Sequence, residues 1–295
     1  MKALILMNGY PAAEKFYRQS ERLAAELEKL GVETEILRNG EVTARIEENG
    51  GAGVSRRYDF CVYLDKDKYL GRLLEKSGMR LFNPPQAVEV CDDKLSTYLA
   101  LLGSGLRLIK TVSAPLCYTK NAAPSEEFLR AVEKELGFPL VAKKSYGSFG
   151  AGVKLINDRE ELFSIEREWL YEPHFYQAFI AEAAGKDIRV IVIGGKAFAA
   201  MERVAQSGEF RSNIELGGVG RAIELTDDCK HTAERAAQAL GLDYCGVDIL
   251  LSKRGAAVCE VNSNAFFEGM EAATGKNVAR AYAEYIVNEM KNRLS

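Results

Sequence analysis

The sequence predicts a mixed α/β and α+β protein, with a small N-terminal βα domain followed by hairpin-and-helix α+β units. Three observations carry that prediction. Apolar runs alternate with amphipathic helical patterns through the first third, and Asn83-Pro84-Pro85 then interrupts the chain. Beyond that break, apolar runs come in pairs joined by glycine-containing turns.

Residues 3–7 form an apolar run expected as a buried strand. Phe16, Leu23, Leu27 and Leu30 then recur at helical spacing, and Gly31 ends that helix. Residues 32–37 and 60–64 are further strands, and residues 69–76 a helix stopped by Ser77-Gly78, which together suggest a largely parallel sheet. After the proline pair, residues 86–102 read as one helix ending at Gly103-Ser104-Gly105. Residues 139–145 and 152–156 are expected to pair as a hairpin, followed by a helix over 160–169 and a strand over 175–180. Residues 188–193 and 197–203 pair across Gly194-Gly195-Lys196, and a helix over 232–240 is closed by Gly241. Residues 246–252 and 256–262 make another hairpin pattern, and a last helix places Val278, Tyr282, Tyr285 and Ile286 on one face. No internal repeat or low-complexity segment appears.

Composition narrows the function. Of 295 residues, 47% are hydrophobic and 27% charged, well above the hydrophobicity floor for disorder. A formal charge of −3 argues against a protein devoted to neutralising phosphate backbones, so no nucleic-acid partner is expected. No apolar run approaches the roughly 20 residues of a membrane span. The N-terminus lacks the long apolar stretch and cleavage site of a signal peptide, which points to the cytoplasm. Six dispersed cysteines and two histidines, His174 and His231, do not suit a structural zinc site; the thiols are expected to be reduced and mostly buried. Scarce histidine also counts against Ser-His-Asp or Cys-His chemistry. Carboxylates, cations, backbone amides or a metal must then carry any catalysis.

Three constellations fit that description. Lys143-Lys144-Ser145-Tyr146-Gly147-Ser148-Phe149-Gly150-Ala151-Gly152-Val153 has glycines spaced so that backbone amides can turn inward around an anion. It matches neither a Walker A loop nor Gly-x-Gly-x-x-Gly, and on its own reads equally as a flexible hairpin tip. In the second, Glu260 and Asn262 sit two apart on one strand face, and a three-residue turn over Lys253-Arg254-Gly255 sets Asp248 opposite Glu260. Paired carboxylates repel unless a cation separates them, and two carboxylates with an amide oxygen suit Mg²⁺. The bland alternative is a hairpin whose outer face meets water. In the third, Arg189, Arg203 and Phe210-Arg211-Ser212-Asn213 gather cations suited to phosphoryl or acyl phosphate groups, though each alone reads as a surface charge. Asp92-Asp93-Lys94 alone reads as a solvated face. In the N-terminal unit, Tyr10 and Arg18 are candidates for the substrate pocket only in that they sit near the first strand's end.

From about Asn83 onward, these stretches in this order resemble the ATP-grasp superfamily and, within it, the RimK-like carboxylate–amine ligases. The carrying residues are Asp93-Lys94, the run from Pro139 to Val153, Gln177 to Ile180, Gly185-Lys186-Asp187-Ile188-Arg189, Glu202-Arg203, Phe210 to Asn213, Gly217-Gly218, Gly246-Val247-Asp248-Ile249 and Glu260-Val261-Asn262-Ser263-Asn264. The resemblance implies an ATP-grasp fold: residues 1–84 as a leading domain, 85–180 as a central lobe with the glycine loop, and 181–295 as a C-terminal lobe with a metal site. ATP would lie between the lobes, with Lys94 and Lys143 on its phosphates and Gly147, Ser148, Gly150 and Gly152 folded over them. Gln177, Ala178, Phe179 and Ile180 would hold adenine and Asp187 the ribose. Asp248, Glu260 and Asn262 would bind one or two Mg²⁺, with Mn²⁺ as an alternative. Arg211 and Asn213 would face the γ-phosphate or acyl phosphate, and Arg189 the substrate carboxylate. The chain departs from the family at Ala178, where many relatives carry Glu, and at Ala265-Phe266-Phe267, where Pro-Gly often follows the asparagine.

The activity implied is ATP-dependent amide formation between a carboxylate and an amine or amino acid, through an acyl phosphate that releases ADP and Pi. A small-molecule kinase on the same scaffold and a non-catalytic nucleotide-binding module are the alternatives. Relatives commonly form dimers or tetramers, so a homodimer or homotetramer is expected.

Overall fold

The computed structural model describes residues 1–10, 14–148, 150–206, 209–212 and 217–294. The N-terminal unit runs β1 (Lys2–Met7), α1 (Glu14–Lys29), β2 (Glu33–Arg38), a small hairpin β3 (Ala44–Ile46) and β4 (Ala52–Val54), β5 (Phe60–Leu64), α2 (Lys68–Lys76) and β6 (Arg80–Phe82). Its sheet has the order β2-β1-β5-β6 and is parallel throughout. The apolar run of β1 is buried on both faces, as strands in parallel sheets usually are. Ala3 and Ile5 enter one core while Leu4 and Leu6 enter another, the two-residue period of a strand.

The helix expected over residues 86–102 is two helices, α3 (Pro85–Asp92) and α4 (Lys94–Leu101). Asp93 lies between them in extended conformation, and its carboxylate accepts hydrogen bonds from the Leu95 and Ser96 N–H groups. An aspartate that caps a new helix is worth more than one carried through a helix interior. The break makes Lys94 the first residue of α4 and turns it inward, where it is buried rather than on a solvated face.

The next unit contains β7 (Thr111–Ser113), α5 (Glu126–Leu136), β8 (Leu140–Lys144), β9 (Val153–Ile156), α6 (Arg159–Trp169) and β10 (His174–Ala178). Its antiparallel sheet, β7-β10-β8-β9, packs against α5 and α6 around its own core, including Leu129, Leu162 and Trp169. The strand expected to reach residue 180 ends at Ala178. The last unit runs β11 (Lys186–Ile193), β12 (Lys196–Val204), β13 (Val219–Ala222), α7 (Asp227–Leu240), β14 (Tyr244–Ser252), β15 (Gly255–Asn262), α8 (Glu268–Thr274) and α9 (Val278–Leu294). Its sheet has the order β13-β12-β11-β14-β15. One face shares a core with α7 and with Ala87, Cys91 and Leu101 of α3 and α4. The other shares a core with α9 and the N-terminal sheet.

The β14–β15 turn differs from expectation in an instructive way. Ser252 pairs with Gly255, so the turn holds two residues, which alone would misalign the two carboxylates. A bulge at Cys259 restores the register, and Asp248 does lie opposite Glu260. The Asn83 boundary is likewise a joint rather than a loose linker. Its amide nitrogen donates to the Tyr244 and Ser263 carbonyls, and its oxygen accepts from the Asp243 and Tyr244 N–H groups, at 2.7–2.9 Å. All six cysteines are free thiols, four of them buried. Among the described residues, no helix is long and apolar enough to cross a membrane.

Candidate active site

The middle and last sheets face each other across an open cleft of about 870 Å³, solvent space included. Strands β8 and β10 bring Lys143, Gln177 and Ala178 to it, and the chain leaving β10 adds Phe179 and Ile180. The last sheet brings Asp187, Arg203, Asp248 and Glu260, while Arg211 comes from the segment after β12. Lys94 enters from the start of α4, and Gly147, Ser148 and Gly150 come from the β8–β9 loop. Apolar lining from Ile109, Ala178, Ile180 and Leu250 belongs to one small core cluster. Gly152 does not line the cleft. Its backbone closes the hairpin, its carbonyl accepting from Lys144 N–H at 2.9 Å, and a Cβ there would press on the Lys144 side chain at 3.0 Å.

Gly147, Gly150 and Gly152 have φ of +138°, +75° and +71°, values that L side chains rarely adopt, so the loop's path requires glycine. Cations hold it in place. Lys94 Nζ donates to the Gly147 carbonyl at 2.5 Å, and Arg211 Nη1 to the Gly150 carbonyl at 2.8 Å. Arg211 is itself gripped by the Glu209 carboxylate, at 3.0 Å through Nε and 2.8 Å through Nη2. Lys143 Nζ lies 3.7 Å from Cys259 Sγ. Asn213 lies outside the described residues, as does Phe149 within the loop.

An alternating charge row runs across the last sheet, with Asp187, Arg203 and Asp248 in the cleft and Arg189 beyond it. Arg189 grips Asp248 through Nε and Nη2 at 2.7 and 2.6 Å. Arg203 reaches Asp248 at 2.9 Å and forks onto both oxygens of Asp187, Nε at 2.7 Å. Burial works against charge on Asp248, but Arg189 and Arg203 outweigh it and hold the carboxyl below the usual range. Burial and the neighbouring Asp248 push Asp187 the other way, above the usual range, and Arg203 offsets this only in part. The conflict between Asp248 and Glu260 therefore has a protein answer: arginines neutralise Asp248, and Lys94 lies 3.6 Å from Glu260.

A second cavity of about 1120 Å³ adjoins the first, and the two share Lys94, Gly147, Ser148 and Glu260 as a common wall. Arg189 and Asn262 face this second cavity, not the cleft. Its other side is N-terminal: Asn8, Phe16, Asp65 and Lys66. Tyr10 and Arg18 are not among them. Tyr10 is 90% exposed, and Arg18 pairs with Glu268 at the surface. The residues that do line it follow or border the predicted strands, with Asp65-Lys66 just past β5. The carboxyl ends of parallel strands are where α/β sheets bind ligands, and that rule was the available signal.

The donor set fits a hard cation held jointly with phosphates. Glu260 and Asn262 project from the same strand toward the shared wall, and the Asn262 amide nitrogen is buried without a hydrogen-bond partner, so no such bond fixes which end faces the cavity. Among the described residues no group of three or more His, Cys, Asp or Glu side chains forms an all-protein cage. Mg²⁺ commonly takes one or two carboxylates and completes its shell with water and phosphate oxygens.

Residues 91–286 match the RimK-like ATP-grasp domain. The chain is 34% identical to β-citrylglutamate synthase B of Danio rerio over 79% of its own length, though it spans only 57% of that relative. It is 38% identical to a probable α-L-glutamate ligase of Shewanella loihica, over 75% of this chain and 71% of the relative. The fold superimposes on the ATP-grasp ligase PsnB, solved with a phosphomimetic variant of its minimal precursor, Mg and ADP, with a TM-score of 0.72, 18% identity and 98% coverage of each chain. The chain belongs to the RimK-like ATP-grasp family.

Proposed function

We propose that this protein is an ATP-dependent carboxylate–amine ligase acting in the cytoplasm. The observation that carries the reading is the wall shared by the two cavities: a nucleotide-sized cleft and a substrate-sized cavity meet at Lys94, the glycine loop and Glu260. ATP fits the cleft with adenine against Gln177, Ala178, Phe179 and Ile180, and with the ribose at Asp187. Lys94, Lys143, Arg211 and the loop of Gly147, Ser148 and Gly150 surround the phosphates. Gly152 shapes that loop from outside. Asp248, Glu260 and Asn262 would hold one or two Mg²⁺, whose chemistry is charge neutralisation of the triphosphate. The Mg and ADP in PsnB support that reading.

In the first step a substrate carboxylate oxygen attacks the γ-phosphorus, and the bond to the ADP oxygen breaks. Arg189 keeps Nε and Nη2 on Asp248, so its Nη1 edge is left to orient that carboxylate. The neutral amine nitrogen then attacks the acyl carbon, phosphate leaves with the C–O electrons, and the proton lost by the nitrogen goes to the departing phosphate. Arg211 and the closed glycine loop screen the acyl phosphate from water, which would otherwise hydrolyse it.

Relatives named as ligases and synthases favour this chemistry over a kinase. The intact row of cleft cations and acids favours it over a non-catalytic module. Phosphate release with carboxylates crossed against amines is the test. Glu260→Gln is expected to lower kcat by at least a hundredfold, and unchanged turnover would remove Glu260 from the site. A product that retains the phosphate would identify a kinase instead.

A further inference from the structure

The second cavity has an unusual balance for a family whose relatives include glutamate ligases. Its described lining holds three cations, and each already has an acid. Lys66 lies 2.5 Å from Asp92, Lys94 lies 3.6 Å from Glu260, and Arg189 grips Asp248. The nearby Lys15 stands over the Phe266 ring but lines the neighbouring groove. The charges of the described lining balance, three of each sign, and Asp65 is the acid among them with no cation paired to it among the described residues. Asp65, only 3% exposed, accepts from the Asn8 amide at 2.9 Å and the Lys66 N–H at 2.7 Å through Oδ1 alone. Its Oδ2 is buried with no hydrogen-bond partner. A buried carboxylate oxygen left in that state favours a cationic hydrogen-bond donor.

The rest of the wall is apolar. Phe16 of α1 and Phe266, from the segment where relatives often carry Pro-Gly, meet edge to face with centroids 5.1 Å apart. They come from opposite ends of the chain and cover one side of the cavity together.

We propose that this cavity selects an amino-acid amine with an apolar side chain: Asp65 receives its ammonium group, Phe16 and Phe266 cover its side chain, and acidic amino acids are disfavoured. The inference rests on the ligase reading and specifies its amine. The Nη1 edge of Arg189 is left for one carboxylate, and the other cations of the described lining are already paired with an acid, so a further carboxylate on the amine's side chain goes uncompensated.

The test is a phosphate-release assay of the purified protein with MgATP, in which a carboxylate panel is crossed with leucine, phenylalanine, glutamate and aspartate as amines. Leucine or phenylalanine is expected to exceed glutamate at least tenfold in kcat/KM. Phe266→Arg should shrink that preference at least tenfold, and Asp65→Asn should raise the amine KM at least tenfold without moving the KM for ATP. A preference for glutamate, or a preference unaltered by Phe266→Arg, overturns the proposal while leaving the ligase reading standing. If no pair releases phosphate, the ligase reading fails. Calorimetric titration of leucine and glutamate, with Mg²⁺ and a non-hydrolysable ATP analogue present, then decides the cavity's preference by itself. Equal or tighter binding of glutamate, or no binding of either, refutes it.

Discussion

The two cavities share a wall but are assembled on different principles. The cleft is built mostly on strands and the turns beside them: the glycine hairpin, the end of β10 and the adjacent strands β11, β12, β14 and β15, with Lys94 and Arg211 reaching in from α4 and from the segment after β12. The second cavity collects residues from seven places along the chain, and those outside the shared wall include Asn8, Phe16 and Asp65-Lys66 of the N-terminal unit, brought against Asp92, Arg189 and the run from Asn262 to Phe266. The cleft's geometry is therefore held by strand register and buried ion pairs, whereas that of the second cavity is held by how the N-terminal sheet docks. Such a division suits an enzyme that keeps one nucleotide and varies its other substrates, because docking surfaces can change without disturbing the strands. Damage to one region should leave the other measurably intact, and each substitution below exploits that.

The largest effect is expected at Arg203. It is 2% exposed and is the only described contact that neutralises Asp187 by hydrogen bonds while also reaching Asp248. Arg203→Met leaves a buried carboxylate without its cation, a change that typically costs about 3–5 kcal/mol. Urea unfolding should show that loss, and Arg203→Met combined with Asp187→Asn should recover much of it, because the orphaned charge goes too. The two acids carry opposite pH signatures. Asp248, held low, stabilises the fold above the ordinary carboxylate range and loses that contribution as pH falls through its depressed value. Asp187, pushed up, fits the fold best when neutral, so its part is lost as pH rises through its raised value. Asp187→Asn should remove the second loss and spare the first. A stability profile for that variant parallel to the parent's would refute this assignment.

An intermediate effect is expected at Asn83, which braces residues 243–244 and Ser263 beside the second cavity. Asn83→Ala leaves backbone groups buried without partners, at about 1–3 kcal/mol. Because the joint adjoins the second cavity and not the cleft, the amine KM is expected to rise while ATP affinity stays within twofold. Equal weakening of both would mean that the cavities are not mechanically separate.

The same division explains what could be read in the residues beforehand. Glycine spacing, the two-residue offset of Glu260 and Asn262, and alternating apolar runs are local patterns, so the hairpins and the parallel sheet were legible. Even there the Asp248–Glu260 pairing followed from an expected three-residue turn, while the molecule reaches it with a two-residue turn and a bulge at Cys259. Bulges leave no periodic trace. Asp93 was hidden because a cap inside a helical pattern looks like any exposed acid, although Asp before a helical run is a recognised start signal. The role of Arg203 could not be seen, since it depends on strands β11, β12 and β14 lying side by side. Asp65, Phe16 and Phe266 meet only after the whole chain has folded, and no spacing in the sequence encodes that.

The smallest effect belongs to the strap over the cleft. Hydrogen bonds from Arg211, first by its side chain and then by its backbone, outweigh partial burial and bring the Glu209 carboxyl down to about 2. The pair therefore contributes fully above the ordinary glutamate range and is lost as pH falls from about 4.5 toward about 2. Because it is partly exposed, its worth is that of a surface pair, about 0.2–1 kcal/mol. Glu209→Gln should lower the urea midpoint slightly at pH 7, and the gap between variant and parent should close as the solution is acidified. Its consequence for binding is more telling than its energy, since Arg211 also holds the Gly150 carbonyl. Nucleotide affinity should fall severalfold in Glu209→Gln with the amine KM unmoved, the reverse of the pattern at Asn83. A variant that shifts the amine KM and leaves nucleotide affinity alone would show that the strap serves the second cavity instead.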